Sequence, residues 1–342
     1  MKAAILSFTL RGRELNFKLQ NVLKGKNMLT EGFTIGKFAE GLKELKPSLK
    51  EWIKINFNNY DAFIFIAAAG IAVRSIAPFI KSKDIDPAVI VMDEGEDFII
   101  PILSGHIGGA NNLALTISKE LNLQAVLTTA TDINKKFAVD NFAVKNNLCI
   151  GDINNIKVIS SRVLENKKIG LLSDLKIEGN IPDVIDFNER RAGICISYKV
   201  KKPFDFTMNL YPRNLSLGIG CRKDKTMEDI ESLVFSVLGE NNISFKSIKG
   251  IYSIDLKKNE KGLLNFCKKY NLPFKTFSGE ELKEAEGEYT KSAFVSKVTG
   301  VDNVCERAAV LGSNKGKLVI KKTSANGVTV SIAKEEWSVL FE

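Results

Sequence analysis

The fold is decided by the stretch AVIVMDEGEDFIIPILSGHIGGANNLALTISKEL, residues 88–121. Two apolar strands, Ala88 to Met92 and Phe98 to Leu103, are predicted on either side of a short polar segment. The glycine-rich turn Ser104 to Gly109 then opens a helix, Ala110 to Leu121, whose apolar residues recur at helical spacing. This alternation of strands and helices predicts an α/β fold.

The same alternation continues toward the N-terminus and just beyond the helix. Ala3 to Leu10 is predicted to be a first strand rather than a signal peptide, because arginines follow where a small-residue cleavage site should be. The continuous apolar run Tyr60 to Ala69 is typical of a strand that is buried on both faces. Gln124 to Leu127 is predicted to be a further strand. Residues 1–135 are therefore predicted to form an N-terminal doubly wound α/β domain.

A second α/β pattern begins at Leu215 and predicts a C-terminal α/β domain over residues 214–342. Its predicted strands are Leu215 to Ile219, Ile248 to Asp255 and Phe274 to Phe277, and its predicted helices are Met227 to Leu238 and Asn259 to Tyr270. Ser278 to Glu281 matches a capping box. Asn326-Gly327 is predicted to form the turn of a closing hairpin. Between the two patterns, residues 136–213 predict a small middle module with short strand-like runs, among them Val158 to Ser160.

Composition excludes several classes of protein. The 342 residues are 44% hydrophobic and 26% charged, as in folded globular proteins, and the longest apolar run is far too short to cross a membrane. The sequence contains no recognisable metal site, because it has a single histidine and five scattered cysteines without a Cys-x-x-Cys pair. Without a secretory signal, we expect reduced thiols and a cytoplasmic location. The net charge of +9 predicts an anionic partner.

The glycine-rich turn is the first candidate for chemistry. Gly105, Gly108 and Gly109 would let the backbone approach a ligand, and the N–H groups of the following helix would form an anion site. His106 lies in this turn, where a helix N-terminus favours the neutral imidazole that a general base requires. Alternatively, the glycines only make a tight turn and His106 merely caps it. Ser104 lacks the preceding glycine of a nucleophile elbow, so a serine-hydrolase triad is not favoured.

Two further polar segments follow predicted strands. Asp93-Glu94 would lie beside the turn, where Glu94 could orient His106 or act as an acid, unless the segment is only a solvated hairpin turn. The segment Thr128-Thr129-Ala130-Thr131-Asp132 carries hydroxyls that can bind carboxylates, or it is only a helix cap. We expect a ligand to lie against the strand ends that carry Gly70, Glu94, His106 and Thr129.

A basic segment follows the first strand of the C-terminal pattern. Gly218-Ile219-Gly220-Cys221-Arg222-Lys223 resembles half of a dinucleotide fingerprint, but Lys223 stands where the third glycine should be. The cations beside the predicted helix start still favour an anion site that includes Arg222.

Taken together, the segments resemble the CbiG family, the cobalt-precorrin-5A hydrolases of anaerobic cobalamin biosynthesis. The resemblance is carried by four segments in order: residues 70–78 (GIAVRSIAP), 86–94 (DPAVIVMDE), 103–111 (LSGHIGGAN) and 128–132 (TTATD). The C-terminal domain is similar to the domain that this family shares with the CobE proteins. The segments that carry this similarity are residues 218–222 (GIGCR), 292–295 (SAFV), 299–301 (TGV), 304–309 (VCERAA) and 316–318 (GKL).

The resemblance implies an enzyme that adds water to the ring-A lactone of cobalt-precorrin-5A and releases acetaldehyde to give cobalt-precorrin-5B. Cobalt arrives within the substrate, so neither a cofactor nor a protein metal site is expected. We expect His106 and Glu94 to be the catalytic residues, Glu94 because of its position after a predicted strand. The implied substrate-binding residues are Gly70, Arg74, Ser104, Gly105, Gly108, Gly109, Asn111, Thr128, Thr129, Asp132, Arg222 and Ser292.

The expected partner is therefore a tetrapyrrole polycarboxylate. We expect binding neither to nucleic acid nor to a membrane. Transient contacts with other enzymes of the corrin pathway stay open. Two alternatives stay open on the sequence alone. A non-catalytic tetrapyrrole carrier of the same pathway would need the anion sites but not His106. A nucleic-acid-binding protein would account only for the charge, since no segment carries such a signature.

Overall fold

The computed structural model describes residues 1–134 and 136–341, and these divide into two compact units, Met1–Val144 and Lys145–Glu342. Among the described residues, no helix is both long enough and apolar enough to span a membrane.

The first unit is built on one seven-stranded sheet. Its strands are β1 (Lys2–Ser7), β2 (Leu29–Thr34), β3 (Lys43–Glu44), β4 (Ala62–Ile66), β5 (Ala88–Met92), β6 (Phe98–Leu103) and β7 (Gln124–Ala125), in the spatial order β3-β2-β1-β4-β5-β6-β7. Strands β1 to β5 are parallel to one another. Strand β6 runs antiparallel to β5, and β7 is parallel to β6. The last two strands therefore end at the opposite edge of the sheet from the first five.

Helices cover both faces of this sheet. They are α1 (Leu10–Lys24), α2 (Leu49–Asn56), α3 (Ala69–Ile76), α4 (Ala110–Leu121), α5 (Ala130–Ile133) and α6 (Val139–Lys145). The apolar sides of α1 and α4 share one buried cluster with one face of β1, β4 and β5, and residues of α2 and α3 share a second cluster with the other face. Alternate residues of a strand point to opposite faces, so the wholly apolar β4 fills both clusters. The doubly wound α/β prediction is confirmed.

The predicted bounds of β5, β6 and α4 agree with the structure. Strand β4 is shorter than the predicted Tyr60 to Ala69, because α3 already begins at Ala69. Strand β7 is also shorter than the predicted Gln124 to Leu127.

The second unit begins with a four-stranded sheet in the order β8-β12-β11-β9. Its elements are β8 (Leu148–Ile150), α7 (Asn155–Leu164), β9 (Gly170–Ser173), β10 (Lys176–Gly179), β11 (Ala192–Ile196) and β12 (Phe206–Pro212). The strand-like reading of Val158 to Ser160 was wrong, because these residues lie within α7. The buried positions of α7 are Ile156, Ile159 and Val163, and this spacing of three and four residues marks a helix.

The rest of the second unit holds a five-stranded sheet in the order β15-β14-β13-β17-β16. Its strands are β13 (Leu215–Cys221), β14 (Ile248–Ile254), β15 (Phe274–Phe277), β16 (Lys317–Ala325) and β17 (Val328–Lys334), and β18 (Ser338–Phe341) pairs with β10. Its helices are α8 (Met227–Glu240), α9 (Lys261–Lys269), α10 (Gly279–Lys283), α11 (Ala293–Thr299) and α12 (Cys305–Gly312).

Two local predictions for this sheet are confirmed. Ser278 and Glu281 form both hydrogen bonds of a capping box at the start of α10. Asn326 and Gly327 have φ angles of 48° and 75° in the turn between β16 and β17, as a type I′ hairpin turn requires.

The middle and C-terminal sheets lie in the same compact unit. Strand β10 of the middle region pairs in parallel with β18 near the C-terminus, and the Lys246 ammonium donates to the carbonyls of Ile150 and Gly151. The division at residues 135/136 and 213/214 stays a prediction, and Lys135 itself lies outside the described residues.

Candidate functional site

The turn that carries His106 is closed by its own backbone. Ser104 follows β6 in the left-handed conformation with φ 56°, and its buried hydroxyl donates to the Asp86 carbonyl at 2.9 Å. Gly109 has φ 83°, which favours glycine, and is the N-cap of α4. The N–H groups of Gly109, Ala110 and Asn111 donate to the carbonyls of His106, Ser104 and Gly105 at 3.0, 3.2 and 2.9 Å.

These bonds correct the expectation of an anion site at this helix start. Three of its N–H groups already have acceptors within the turn. The glycines allow the turn to pack on itself: a Cβ at Gly108 would lie 2.4 Å from the Cβ of Ser104, and one at Gly105 would lie 2.7 Å from Asn111 Oδ1. Their small size therefore serves the tight turn, and the three N–H groups already have acceptors within it.

The His106 imidazole contacts a carboxylate that the sequence analysis did not select. Its Nδ1 lies 3.0 Å from Oδ2 of Asp140, in the first turn of α6, and the two side chains are only 9% and 12% exposed. Asp140 stands in the apolar run FAVDNFAV, residues 137–144. A lone carboxylate inside an apolar helical run is the signal that could have found it, because a buried charge needs a partner.

The pKa of Asp140 lies below its ordinary value. Burial acts to raise this pKa, but the hydrogen bond from His106 and the interaction with its charge outweigh that effect. The backbone N–H of Asn141 also donates to Asp140 Oδ1 at 3.0 Å and stabilises the charged form. Asp140 is therefore an ionised, partly desolvated acceptor beside the imidazole.

The hydroxyl-rich segment Thr128 to Asp132 lies next to this turn. Asn111 Nδ2 donates to Thr129 Oγ1 at 3.4 Å, and Thr128 and Thr129 are exposed. Thr131 is buried, and its Oγ1 has no hydrogen-bond partner among the described residues. Asp132 lies in α5, but its side chain is outside the described part of the structure.

Glu94 and Gly70 do not lie near His106. We expected the strand ends that carry these residues to lie at one edge of the sheet, and this expectation was wrong. Both follow parallel strands, β5 and β4, whereas His106 and Thr129 follow β6 and β7, which run the other way. The five residues of β5 separate the two edges by about 13 Å. Arg74, one turn after Gly70 on the exposed side of α3, belongs to the Glu94 edge.

The Glu94 carboxylate has a partner at its own edge. It accepts from Thr9 Oγ1 at 2.6 Å, and Thr9 also caps α1 by accepting from the Gly12 N–H at 3.0 Å. The segment that contains Glu94 is the turn of the β5–β6 hairpin, in which Asp93 Oδ1 accepts from the Phe98 N–H at 2.6 Å. The alternative reading of this segment as a hairpin turn agrees with the structure, and Glu94 cannot orient His106.

A cavity of about 870 Å³ opens in the second unit, beside the ends of β13 and β14. Its lining combines cationic side chains with apolar residues, among them Ile254, Leu256 and Val304. The lining cations are Arg222, Lys223, Lys257 and Lys322. Lys257 pairs with Glu260 at 2.8 Å, while no ion pair joins Arg222, Lys223 or Lys322 to another described residue. An anionic ligand with an apolar body fits this lining.

One wall of the cavity is held by Glu306, which the sequence analysis quoted within a segment of resemblance but did not select as a site residue. This carboxylate is 0% exposed and accepts four hydrogen bonds. The donors are the N–H and hydroxyl of Thr290, the Asn303 amide and the Lys322 N–H, at 2.7, 2.9, 2.8 and 2.7 Å. Asn303 and Lys322 line the cavity, so Glu306 fixes two parts of its wall.

Ser292, an implied substrate-binding residue, has a local structural contact. Its hydroxyl caps α11 by accepting from the Val295 N–H at 3.4 Å, and its own N–H donates to the Asp302 carbonyl at 3.0 Å. Helix α11 contributes Val295 and Thr299 to the cavity. Within residues 1–134 and 136–341, no three His, Cys, Asp or Glu side chains cluster as a metal site would require.

Three family models match the chain one after another. Residues 51–132 match the model described as cobalamin synthesis G N-terminal, residues 137–212 match cobalamin biosynthesis central region, and residues 215–333 match cobalamin synthesis G C-terminus. His106 falls in the first match and Asp140 in the second, so the observed pair joins residues from two family models.

Named relatives match most of the chain. A cobalt-precorrin-5A hydrolase of Salmonella typhimurium is 36% identical over 81% of this chain and 82% of that protein. A second protein of that name, from Priestia megaterium, is 29% identical over 96% of this chain and 94% of that protein. The crystal structure of CobE, a protein from the cobalamin (vitamin B12) biosynthetic pathway, matches 35% of this chain and 89% of that chain at 28% identity, with a TM-score of 0.34.

Proposed function

Because this chain belongs to the CbiG family of cobalamin biosynthesis, we propose that it is a cobalt-precorrin-5A hydrolase. One observation carries the proposal: relatives with that name match four-fifths or more of the chain and of their own length. A non-catalytic carrier is not favoured, because these relatives are named as hydrolases.

The reaction is the hydrolytic opening of the ring-A lactone. The oxygen of water adds to the lactone carbonyl, and the bond from that carbonyl to the ring oxygen breaks, leaving a carboxylate. The released oxygen lies on the carbon that bears the methyl group. As it becomes the aldehyde oxygen, the bond from this carbon to the macrocycle breaks, acetaldehyde leaves, and the electron pair stays on the macrocycle. The first step needs a base to take a proton from water.

His106 is our proposed base. It is the one histidine in the sequence, and histidine is the side chain whose unperturbed pKa lies nearest to neutrality. The pairing of its Nδ1 with Asp140 supports this role, because a paired imidazole is oriented. Glu94, Gly70 and Arg74 lie at the far edge of the sheet, so Glu94 is not proposed as a partner of His106. Thr129 and Asn111, next to the turn, are proposed to contact the substrate.

We assign carboxylate recognition in the second unit to the cavity beside β13. Precorrins carry acetate and propionate groups around an apolar macrocycle, and the cavity combines Arg222 and Lys322 with apolar residues. Arginine suits carboxylates because its planar fork donates two parallel hydrogen bonds. Ser292 is proposed to act here only by fixing α11.

The remaining assignments are proposals of the same kind. Cobalt enters within the substrate, and no cofactor is proposed. We place the reaction in the cytoplasm, where the free cysteines would stay reduced. Other enzymes of the corrin pathway would make at most transient contacts, handing over cobalt-precorrin-5A or receiving its product.

The test is the release of acetaldehyde from cobalt-precorrin-5A by the full-length protein. We expect turnover by the wild type and a loss on the order of 10²- to 10⁴-fold in His106→Ala, because a positioned base contributes that much. Asn112→Ala, an exposed change at the start of α4, is the control and should keep its rate. No acetaldehyde from the wild type would refute the proposed activity. A folded His106→Ala protein with a near-normal rate would show that the base is elsewhere.

A further inference from the structure

We propose that Asp140 is the positioning residue of the reaction: it holds the proton on Nδ1 of His106 and so presents Nε2 as the basic nitrogen. The proposal rests on the proposed function only for its effect on turnover. Its structural part, the protonation of one ring nitrogen, can be measured on the protein alone. Nothing in the family models or in the names of the relatives assigns a role to Asp140.

The chemistry of the contact decides which nitrogen of His106 carries the proton. An ionised carboxylate can only accept hydrogen bonds, so the 3.0 Å contact from Asp140 Oδ2 requires a proton on Nδ1 of His106. In a neutral imidazole, a proton on Nδ1 leaves the lone pair on Nε2. Nε2 is then the atom that can accept a proton from water. Without Asp140, nothing in this contact would select that tautomer.

Both partners of the contact are held in place by further hydrogen bonds. The backbone of His106 lies in a turn that the bonds from Gly109 to His106 and from Ala110 to Ser104 close at 3.0 and 3.2 Å. Asp140 lies in the first turn of α6, and its second oxygen accepts from the Asn141 N–H at 3.0 Å. The two side chains are about nine-tenths buried, so neither is free to rotate into water. The pair therefore fixes the plane of the imidazole as well as its tautomer.

The positioning role of Asp140 differs from that of a purely structural ion pair. Burial of a carboxylate is unfavourable, and replacement of a buried pair by apolar residues is often neutral or stabilising. A turn closed by backbone hydrogen bonds does not need such a pair to keep its shape. The one histidine of the chain is nevertheless buried against a charged group. Orientation of a reacting imidazole accounts for this arrangement.

The first experiment uses the fact that the chain has a single histidine. With ¹⁵N-labelled histidine and a tag without histidine, nuclear magnetic resonance shows one imidazole without any assignment step. In the wild type above the imidazole pKa, we expect the proton on Nδ1 and an unprotonated Nε2. In Asp140→Asn the amide can donate instead of accept, so we expect the Nε2-protonated tautomer to gain population. Asp84→Asn, an exposed change, is the control and should leave the spectrum unchanged.

A wild-type spectrum with the proton on Nε2 would overturn the proposal, and this measurement needs no variant that folds. An Asp140→Asn protein with the same imidazole spectrum as the wild type would also overturn the proposal.

The second experiment is kinetic and uses cobalt-precorrin-5A. We expect Asp140→Asn to lower kcat by on the order of 10²- to 10⁴-fold with little change in KM, since the substrate contacts stay while the basic nitrogen is lost. A change of tautomer with unchanged kcat would refute the catalytic part alone. If the wild type releases no acetaldehyde, the proposed function fails, but the result for the tautomer stands.

Discussion

Replacement of Glu306 by glutamine keeps the size of the side chain and removes its charge, and we expect this change to lower the stability of the second unit. The carboxylate has no solvent contact, and its partners come from three separate segments of the chain. Oε1 accepts from the Thr290 hydroxyl and the Lys322 N–H, and Oε2 accepts from the Thr290 N–H and the Asn303 amide. Each oxygen therefore faces at least one N–H donor.

The magnitude follows from these partners. A glutamine amide must place its NH₂ at one of the two oxygen positions. At Oε1, the Thr290 hydroxyl can rotate and accept, but the Lys322 N–H loses its acceptor. At Oε2, two N–H donors would lose theirs, so the first arrangement costs less. One buried unsatisfied donor costs about 1–3 kcal/mol, and Glu306→Gln should destabilise by about 2 kcal/mol. Glu306→Ala leaves all four donors without this acceptor and should cost about 4 kcal/mol or more.

The assay is urea unfolding followed by the fluorescence of Trp337, in a Trp52→Phe background that removes the tryptophan of the first unit. This separation matters because two compact units need not unfold in one transition. The control is Glu280→Gln, an exposed change in an ion pair with Lys283, which should stay within about 0.5 kcal/mol. Equal stability of Glu306→Gln and the wild type would refute the reasoning, because it would show that the donors do not depend on the charged acceptor.

Three further predictions concern other parts of the molecule. Glu94→Gln should keep acetaldehyde release within a few-fold, because Glu94 contacts Thr9 at the far edge of the sheet from the histidine turn; a loss of 100-fold or more would place it in the active site after all. Arg222→Ala should raise KM up to about five-fold at unchanged kcat, as expected for one exposed ionic contact, with a larger effect at low salt; a fall in kcat at saturating substrate would contradict this binding role. For Glu31, the hydrogen bond from Lys43, opposed by burial and supported by neighbouring donors, lowers the pKa to about 2. Because this pKa lies below the unfolded value, its stabilisation is present above about pH 4.5 and is lost as the pH falls toward 2. Thermal unfolding of Glu31→Gln should therefore show a loss of about 1 kcal/mol or less at neutral pH that disappears near pH 2, and a constant difference would contradict the shift.

Much of the fold could be predicted because local patterns and burial agree. Strand β5 and helix α4 have the bounds that their apolar runs and flanking turns indicate. The type I′ turn at Asn326-Gly327 needs two residues that tolerate positive φ, and this requirement allows the turn to be predicted from the sequence. The prediction failed at Val158 to Ser160, because three apolar or small residues do not distinguish a strand from one turn of a helix.

The candidate site was harder to predict, because it depends on the direction of one strand. A polar segment between two apolar runs can lead to a parallel crossover or to a hairpin, and only a hairpin fits five residues. The segment Asp93 to Asp97 has that length, so β6 returns antiparallel to β5 and carries His106 to the edge opposite Glu94. The rule that places ligands at the carboxyl ends of parallel strands therefore applies to Gly70 and Glu94 but not to His106.

The partner of His106 follows from the same reversal. At that edge the imidazole is away from the polar loops after β4 and β5, and a charged group that contacts it comes from later in the chain. Asp140 supplies it from 34 residues away, across the junction between two family models, so no local motif links the two residues. The sequence still indicates that Asp140 has a partner, since a carboxylate that is buried by an apolar helix needs a hydrogen-bond donor. Because the sequence has one histidine, an imidazole donor to Asp140 can only be His106. A search for buried carboxylates in apolar runs, rather than for polar segments after strands, would therefore have found the pair.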